Sequence, residues 1–215
     1  MKENGGKRFA PDGAADRREN AAPETAAENT ARPVQKSRGR RLWDEYGYLV
    51  ITLAVVFVLF RVILQLAYVP SGSMETTIPT KTLLVGWRLP HVVSDPVPER
   101  GSIVTFWDEE LERVLVKRVI GLPGDTVSFE GGFVYINGEK LNEDYLPVSG
   151  ITESDTPVFE VPEGCLFLMG DNRTGSRDSR FLNQPYIPVE QVQGRMLLAI
   201  SIGSGQSWQG IRWIG

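Results

Sequence analysis

Thr126-Val127-Ser128-Phe129-Glu130-Gly131-Gly132-Phe133-Val134-Tyr135-Ile136-Asn137-Gly138 is the stretch that decides the fold class. Two short runs of β-branched and aromatic residues flank a Gly-Gly pair, the pattern of a β-hairpin. Asn137-Gly138 marks a second turn directly after it. Working upstream, Ser102–Trp107 and Arg113–Ile120 are also rich in β-branched residues and are bounded by Gly, Pro and Asp. Downstream, Val158–Val161, Leu166–Met169 and Met196–Ile202 add further strands. From residue 70 onward helical periodicity is missing, and the chain carries no internal repeat. These signals predict a mostly β, antiparallel domain over residues 70–215. It should hold a strongly coiled sheet region and a smaller β subdomain near 125–165.

What precedes residue 70 is different in kind. Leu49–Val69 is overwhelmingly apolar, and at 1.5 Å rise per residue it reaches roughly 31 Å, the thickness of one bilayer core. Lys36, Arg38, Arg40 and Arg41 precede it, and Trp43, Tyr46, Tyr48 and Tyr68 lie near its ends like interfacial aromatic belts. Arg61 interrupts the run and reads as a side chain that snorkels to the outer headgroups. Residues 1–41 carry ten Lys/Arg against six Asp/Glu, and the remainder thirteen against twenty-one. A basic flank before the apolar run predicts a cytoplasmic N-terminus and an extracytoplasmic domain in a cell membrane. The acidic folded part speaks against nucleic-acid binding. The opening segment has scattered prolines and almost no aromatics, so burial cannot offset its ordering entropy. The reading is therefore a disordered cytoplasmic tail over 1–41, a single-pass transmembrane anchor over 42–69, and a catalytic domain over 70–215. Only three residues separate Ser73 from Val69, which puts Ser73 near the outer membrane surface.

The candidate chemistry sits just past that anchor, in Pro70-Ser71-Gly72-Ser73-Met74. A serine hydroxyl needs an adjacent base to act as a nucleophile. The single histidine, His91, lies in a Pro/Val-rich stretch without a matching Ser/Asp signature, so a Ser-Lys pair is favoured over a Ser-His-Asp triad. Val114-Leu115-Val116-Lys117-Arg118-Val119-Ile120-Gly121 offers a lysine on an apolar strand. Burial there would disfavour the ammonium, and bringing its pKa to about 8 would cost roughly 3 kcal/mol. The single cysteine, Cys165, excludes an internal disulfide and Cys-rich metal clusters, and its apolar setting reads as a core position.

Two further motifs complete the pattern: Lys117-Arg118-Val119-Ile120-Gly121-Leu122-Pro123-Gly124-Asp125, and Gly170-Asp171-Asn172-Arg173-Thr174-Gly175-Ser176-Arg177-Asp178-Ser179-Arg180. With the Ser73 segment and Gly101-Ser102-Ile103-Val104, they occur in the order seen in type I signal peptidases, which the chain closely resembles from about 70 to 180. The resemblance implies Ser73 as the acylating nucleophile and Lys117 as its general base. It further implies an oxyanion hole from the Ser71 hydroxyl and the Ser73 N–H, Ser176 bonded to Lys117 as its orienter, and Asp178 and Arg180 as a supporting ion pair. The implied fold is the coiled β-sheet of signal-peptidase and LexA-like domains, working without cofactor or metal. The implied activity is release of signal peptides from exported preproteins, with membrane lipid and the secretion translocon as partners.

Signal peptides end in small residues, the A-x-A pattern. An extended substrate would pair with the strand near Leu115–Lys117, and Val69, Met74, Ile78, Leu115 and Val116 are the apolar residues expected around its side chains. Two departures stand out. Glu75-Thr76-Thr77 replaces a proline found after the nucleophile in many relatives, which predicts a less rigid backbone there. Phe181–Tyr186 replaces an aromatic-Gly turn. A LexA-type self-cleaving switch would share the Ser-Lys chemistry, but it has no membrane anchor and usually carries a DNA-binding helix-turn-helix. A catalytically inactive membrane scaffold would not need Ser73, Lys117 and Ser176 together.

Overall fold

The apolar run folds as helix α1, Arg38–Val58, and continues through one π-helical turn, Leu59–Ile63. Together they form one helix long and apolar enough to cross a membrane, and nearly all of its side chains are exposed. The computed structural model describes residues 37–75, 77–88, 97–148, 151–152, 157–203 and 207–215. Most of the expected tail, and His91, lie outside the described residues.

Both ends of the expected anchor need correcting. The helix starts at Arg38, inside the segment read as disordered tail. At its other end Leu64–Val69 is not helix but strand β1. The reason is a complete antiparallel ladder to β2, Thr82–Trp87, running from Leu64 opposite Trp87 to Val69 opposite Thr82. Composition hid the switch because Leu64–Val69 is as apolar as the helix before it. The sign of the burial gives it away: Gln65 and Val69 are buried whereas Leu66 and Tyr68 face outward. Six strand residues, spanning roughly 20 Å, therefore separate the helix from the Ser73 segment, and Ser73 does not follow the membrane helix directly.

The remaining strands are β3, Ile103–Asp108; β4, Arg113–Gly121; β5, Thr126–Glu130; β6, Phe133–Ile136; β7, Glu139–Lys140; β8, Phe159–Glu160; β9, Cys165–Met169; β10, Ile187–Pro188; β11, Val192–Ser201; and β12, Gly210–Trp213. The larger sheet has the order β1-β2-β11-β3-β4-β9-β10, with β12 on β11, and every pairing is antiparallel. The smaller sheet has the order β7-β6-β5-β8 and is built on the Gly131-Gly132 and Asn137-Gly138 turns. All four turn residues have positive φ, the conformation that this hairpin chemistry supplies. The fold is mostly β and antiparallel, as the strand patterns predict.

Three apolar clusters fill the domain. The small sheet buries Val127, Val134, Phe159 and Phe167, with Cys165 packed at its margin. A second cluster, around Val104, Phe106, Val119 and Leu168, lies under β3, β4 and β9. The third joins Val69, Met74, Ile78, Leu84, Ile103 and Met196, and it ties the segment after β1 to the sheet. At the C-terminus, Trp208 and Ile214 pack against this third cluster, while Ile211 and Trp213 on the edge strand β12 are exposed.

Candidate active site

Ser73 lies four residues beyond β1, in a segment anchored from within. Met74 and Ile78 are fully buried, and backbone bonds Glu75 N–H to Gly72 O (3.1 Å) and Ile78 N–H to Met74 O (2.8 Å) wind the chain between them. Those turns brace the loop at the point where the absent proline predicts slack. Lys117 comes from the middle of β4, whose ladder to β3 holds it opposite Val104. Its Nζ donates to Ser73 Oγ at 2.9 Å and to Val116 O at 3.2 Å.

Lys117 is only 2% exposed. Burial pulls its pKa from the ordinary 10.5 down to about 8, helped by the nearby Arg113 charge and opposed mainly by Asp178. An amine in that range has a populated neutral form near neutral pH, with a lone pair free to accept the serine proton.

The loop after β9 closes the site from the other side. Asp178 and Arg180 form a two-pronged pair, both contacts 2.9 Å, with both side chains fully buried. Asp178 Oδ2 also accepts the Gly170 N–H at 2.9 Å, and Arg180 Nη2 donates to Arg173 O at 2.8 Å. Arg118, the neighbour of Lys117, grips Asp171 through two bonds of 2.8 and 2.6 Å and lies 3.9 Å over the Tyr145 ring. Arg173 is fully buried, pairs with Glu143 and donates to Thr152 Oγ1. Buried charges cost several kcal/mol each unless paired, so this chain of pairs fixes the loop rather than merely decorating it.

Within the loop, Gly170 stands so close to Ser73 that a Cβ there would lie 2.4 Å from Ser73 O and 2.2 Å from Ser176 Oγ. Asn172 reaches the same backbone: its N–H donates to Ser73 O at 3.1 Å and its Nδ2 to Gly72 O at 2.9 Å.

Ser176 does not match its expected contact. Its buried hydroxyl makes no hydrogen bond among the described residues, because Lys117 Nζ is directed at Ser73 Oγ and Val116 O instead. Met74 and Ile78 also depart from expectation. Both are fully buried in the core and present no surface to a peptide. A small groove of about 70 Å³ lies beside Ser73 instead, lined by Tyr68, Val69, Pro70, Ser71 and Ser73 on one wall and Arg113–Val116 on the other. Val69, Leu115 and Val116 are thus at the groove as expected, and Ser71 stands beside Ser73 in its wall. A larger cavity of about 210 Å³ between Asp108–Glu110 and Leu182–Gln191 has no serine in its wall, whereas the smaller groove has Ser71 and Ser73.

Asn172, Asp171 and Arg118 lie inside the sequence motifs, but nothing local in the sequence gives them a part. What distinguishes them is contact across long sequence separations, which no local pattern carries.

The family model for signal peptidase, peptidase S26, matches residues 43–200. The chain belongs to the signal peptidase family. It is 33% identical over 178 residues to a probable signal peptidase I-2 from Synechocystis sp., covering 78% of this chain and 79% of that protein. It is 32% identical to signal peptidase I of Bacillus caldolyticus over 75% of this chain and 90% of that one. A crystal structure of a signal peptidase I from Enterococcus faecalis aligns with 36% identity and a TM-score of 0.40, over 46% of this chain and 97% of the other. Membership of the signal peptidase family makes the chain a hydrolase of the protease class, and the matched span takes in Ser73, Lys117 and the whole 170–180 loop.

Proposed function

We propose that the protein is a membrane-anchored serine endopeptidase that removes signal peptides from exported preproteins, cutting after the A-x-A pattern by a Ser73–Lys117 dyad. The observation that carries this reading is the 2.9 Å approach of Lys117 Nζ to Ser73 Oγ, made by a lysine whose burial lowers its pKa to about 8. Neutral Lys117 accepts the Ser73 proton as Oγ bonds to the scissile carbonyl carbon. The oxyanion is held by the Ser73 N–H and the Ser71 hydroxyl. Collapse breaks the C–N bond, and Lys117 returns the proton to the leaving amine. Water then hydrolyses the acyl-enzyme by the same route. Asp178 and Arg180 keep the 170–180 loop against the dyad.

Substrate placement follows from an open edge. β4 pairs with β3 along residues 113–118, but its pairing with β9 starts only at Arg118. The other edge of Arg113–Val116 is left for an extended peptide to add as a strand. The groove beside it is small, which favours Ala-sized side chains over large ones. The apolar helix supports membrane anchoring, and its basic flank supports a cytoplasmic N-terminus with the catalytic domain outside.

The test is to incubate the detergent-solubilised full chain with a preprotein bearing one A-x-A site and to map the products by mass spectrometry. A single cut after the second alanine is expected, and none with Ser73→Ala. An uncut preprotein, or a cut that persists in Ser73→Ala, would overturn the proposal.

A further inference from the structure

Each trans peptide unit points its C=O and its N–H in opposite directions. The C=O of Gly72 and the N–H of Ser73 belong to one such unit. Whatever holds the Gly72 oxygen therefore also aims the Ser73 N–H. Two donors hold that oxygen: the Glu75 N–H at 3.1 Å, from within the nucleophile loop, and Asn172 Nδ2 at 2.9 Å, from a loop about a hundred residues away. The next unit is pinned from the same residue, since the Asn172 N–H donates to Ser73 O. Among the described residues the Ser73 N–H itself donates to no protein acceptor.

Asn172 is in turn held in place. Its Oδ1 accepts the Gly175 N–H at 3.1 Å, and its O accepts the same N–H at 3.0 Å, so the amide cannot swing away from Gly72 without breaking its own turn. The flanking Asp171 is locked to Arg118, the residue after the base. At Gly170 only a glycine lets the loop come this near to Ser73 O.

Resting on the dyad reading above, we infer that Asn172 is a positioning residue of the oxyanion hole, its side-chain amide fixing the Gly72–Ser73 peptide plane so that the Ser73 N–H faces the groove. A donor on the carbonyl also polarises that amide and strengthens its N–H as a hydrogen-bond donor. Asn172 touches neither substrate nor base; it acts through the peptide bond that it holds.

The test uses two variants in the detergent-solubilised full chain, with wild type alongside on the same preprotein. Asn172→Asp keeps the Oδ1 acceptor for Gly175 and the main-chain bond to Ser73 O, but it replaces the donor to Gly72 O by a carboxylate oxygen and adds a negative charge to the loop. Asn172→Ala removes the side chain. Outright loss of an oxyanion donor costs about 10²–10³ in kcat; with the Glu75 bond still in place, a fall of about 10- to 100-fold is expected. KM should stay within about twofold, and in Asn172→Ala, which adds no charge, the acid limb of the pH profile should not move, because Lys117 is untouched. Thermal midpoints measured in parallel separate this from unfolding; should Asn172→Ala fail to fold, Asn172→Asp carries the result. Wild-type kcat in Asn172→Asp, or a displaced acid limb in the uncharged Asn172→Ala, would overturn the inference while leaving the dyad standing. Absence of cleavage by wild type would instead remove the parent reading and this one with it.

Discussion

Replacing Lys117 by Met should leave a protein that is inactive and yet more stable at neutral pH, with a gain that disappears in alkali. The magnitude follows from the displaced pKa. Folding moves the amine from 10.5 to about 8, and at 1.36 kcal/mol per unit that shift amounts to about 3 kcal/mol. The sign is fixed by proton binding. Between pH 8 and 10.5 the unfolded chain binds a proton at Lys117 that the folded chain does not, so wild-type stability rises with pH across this window. Below 8 the folded protein bears the full cost of a buried ammonium; above 10.5 it bears none. Methionine has a similar length and no proton to lose. The variant should therefore exceed wild type most at pH 7, less the two hydrogen bonds that Nζ makes to Ser73 and Val116. Urea unfolding of the detergent-solubilised chain at pH 7, 9 and 10.5 gives the difference directly, and groups titrating in both proteins cancel. The stability gap should shrink by about 3 kcal/mol over that range. A gap that stays constant with pH would refute the claim that burial, rather than some other feature, tunes this amine.

Other expectations follow from the same geometry. Ser71→Ala should fold normally and lose about 10²–10³ in kcat, the cost of one oxyanion donor; unchanged kinetics on the preprotein would remove Ser71 from that role. Ser176→Ala removes a buried hydroxyl that has no partner among the described residues, so unfolding should show no more than about 1 kcal/mol of destabilisation. A partial loss of rate would mean that the hydroxyl engages Lys117 during turnover. Protease added to intact protoplasts should degrade residues beyond the helix and spare an N-terminal tag, and the reverse protection would invert the topology.

Much of the architecture was legible because its signals are local. The Gly131-Gly132 and Asn137-Gly138 turns announce positive φ, and β-branched runs announce strands whatever they pair with. The proposed dyad rests on a different kind of signal: one histidine without a matching Ser/Asp signature narrows the choice of base before any geometry is known. The helix end was not legible, since Leu64–Val69 continues the apolar run and becomes a strand only through its ladder with β2. Nor could apolar character say whether Met74 and Ile78 face a substrate or the core. Seven buried members of one cluster, drawn from separate parts of the chain, settle that. Ser176 and Asn172 exchange prominence for a related reason, because a hydroxyl or amide in a motif says nothing of the atom that it reaches.

The most direct measurement of the central claim is the pH dependence of kcat/KM for preprotein cleavage, run on wild type and on His91→Ala. The buried amine predicts activity that rises with pH through a single ionisation near 8, identical in the two proteins, and absent in Lys117→Arg because a guanidinium cannot accept the Ser73 proton. An acid limb near 6.5 that vanishes in His91→Ala, with Lys117→Arg still active, would contradict it.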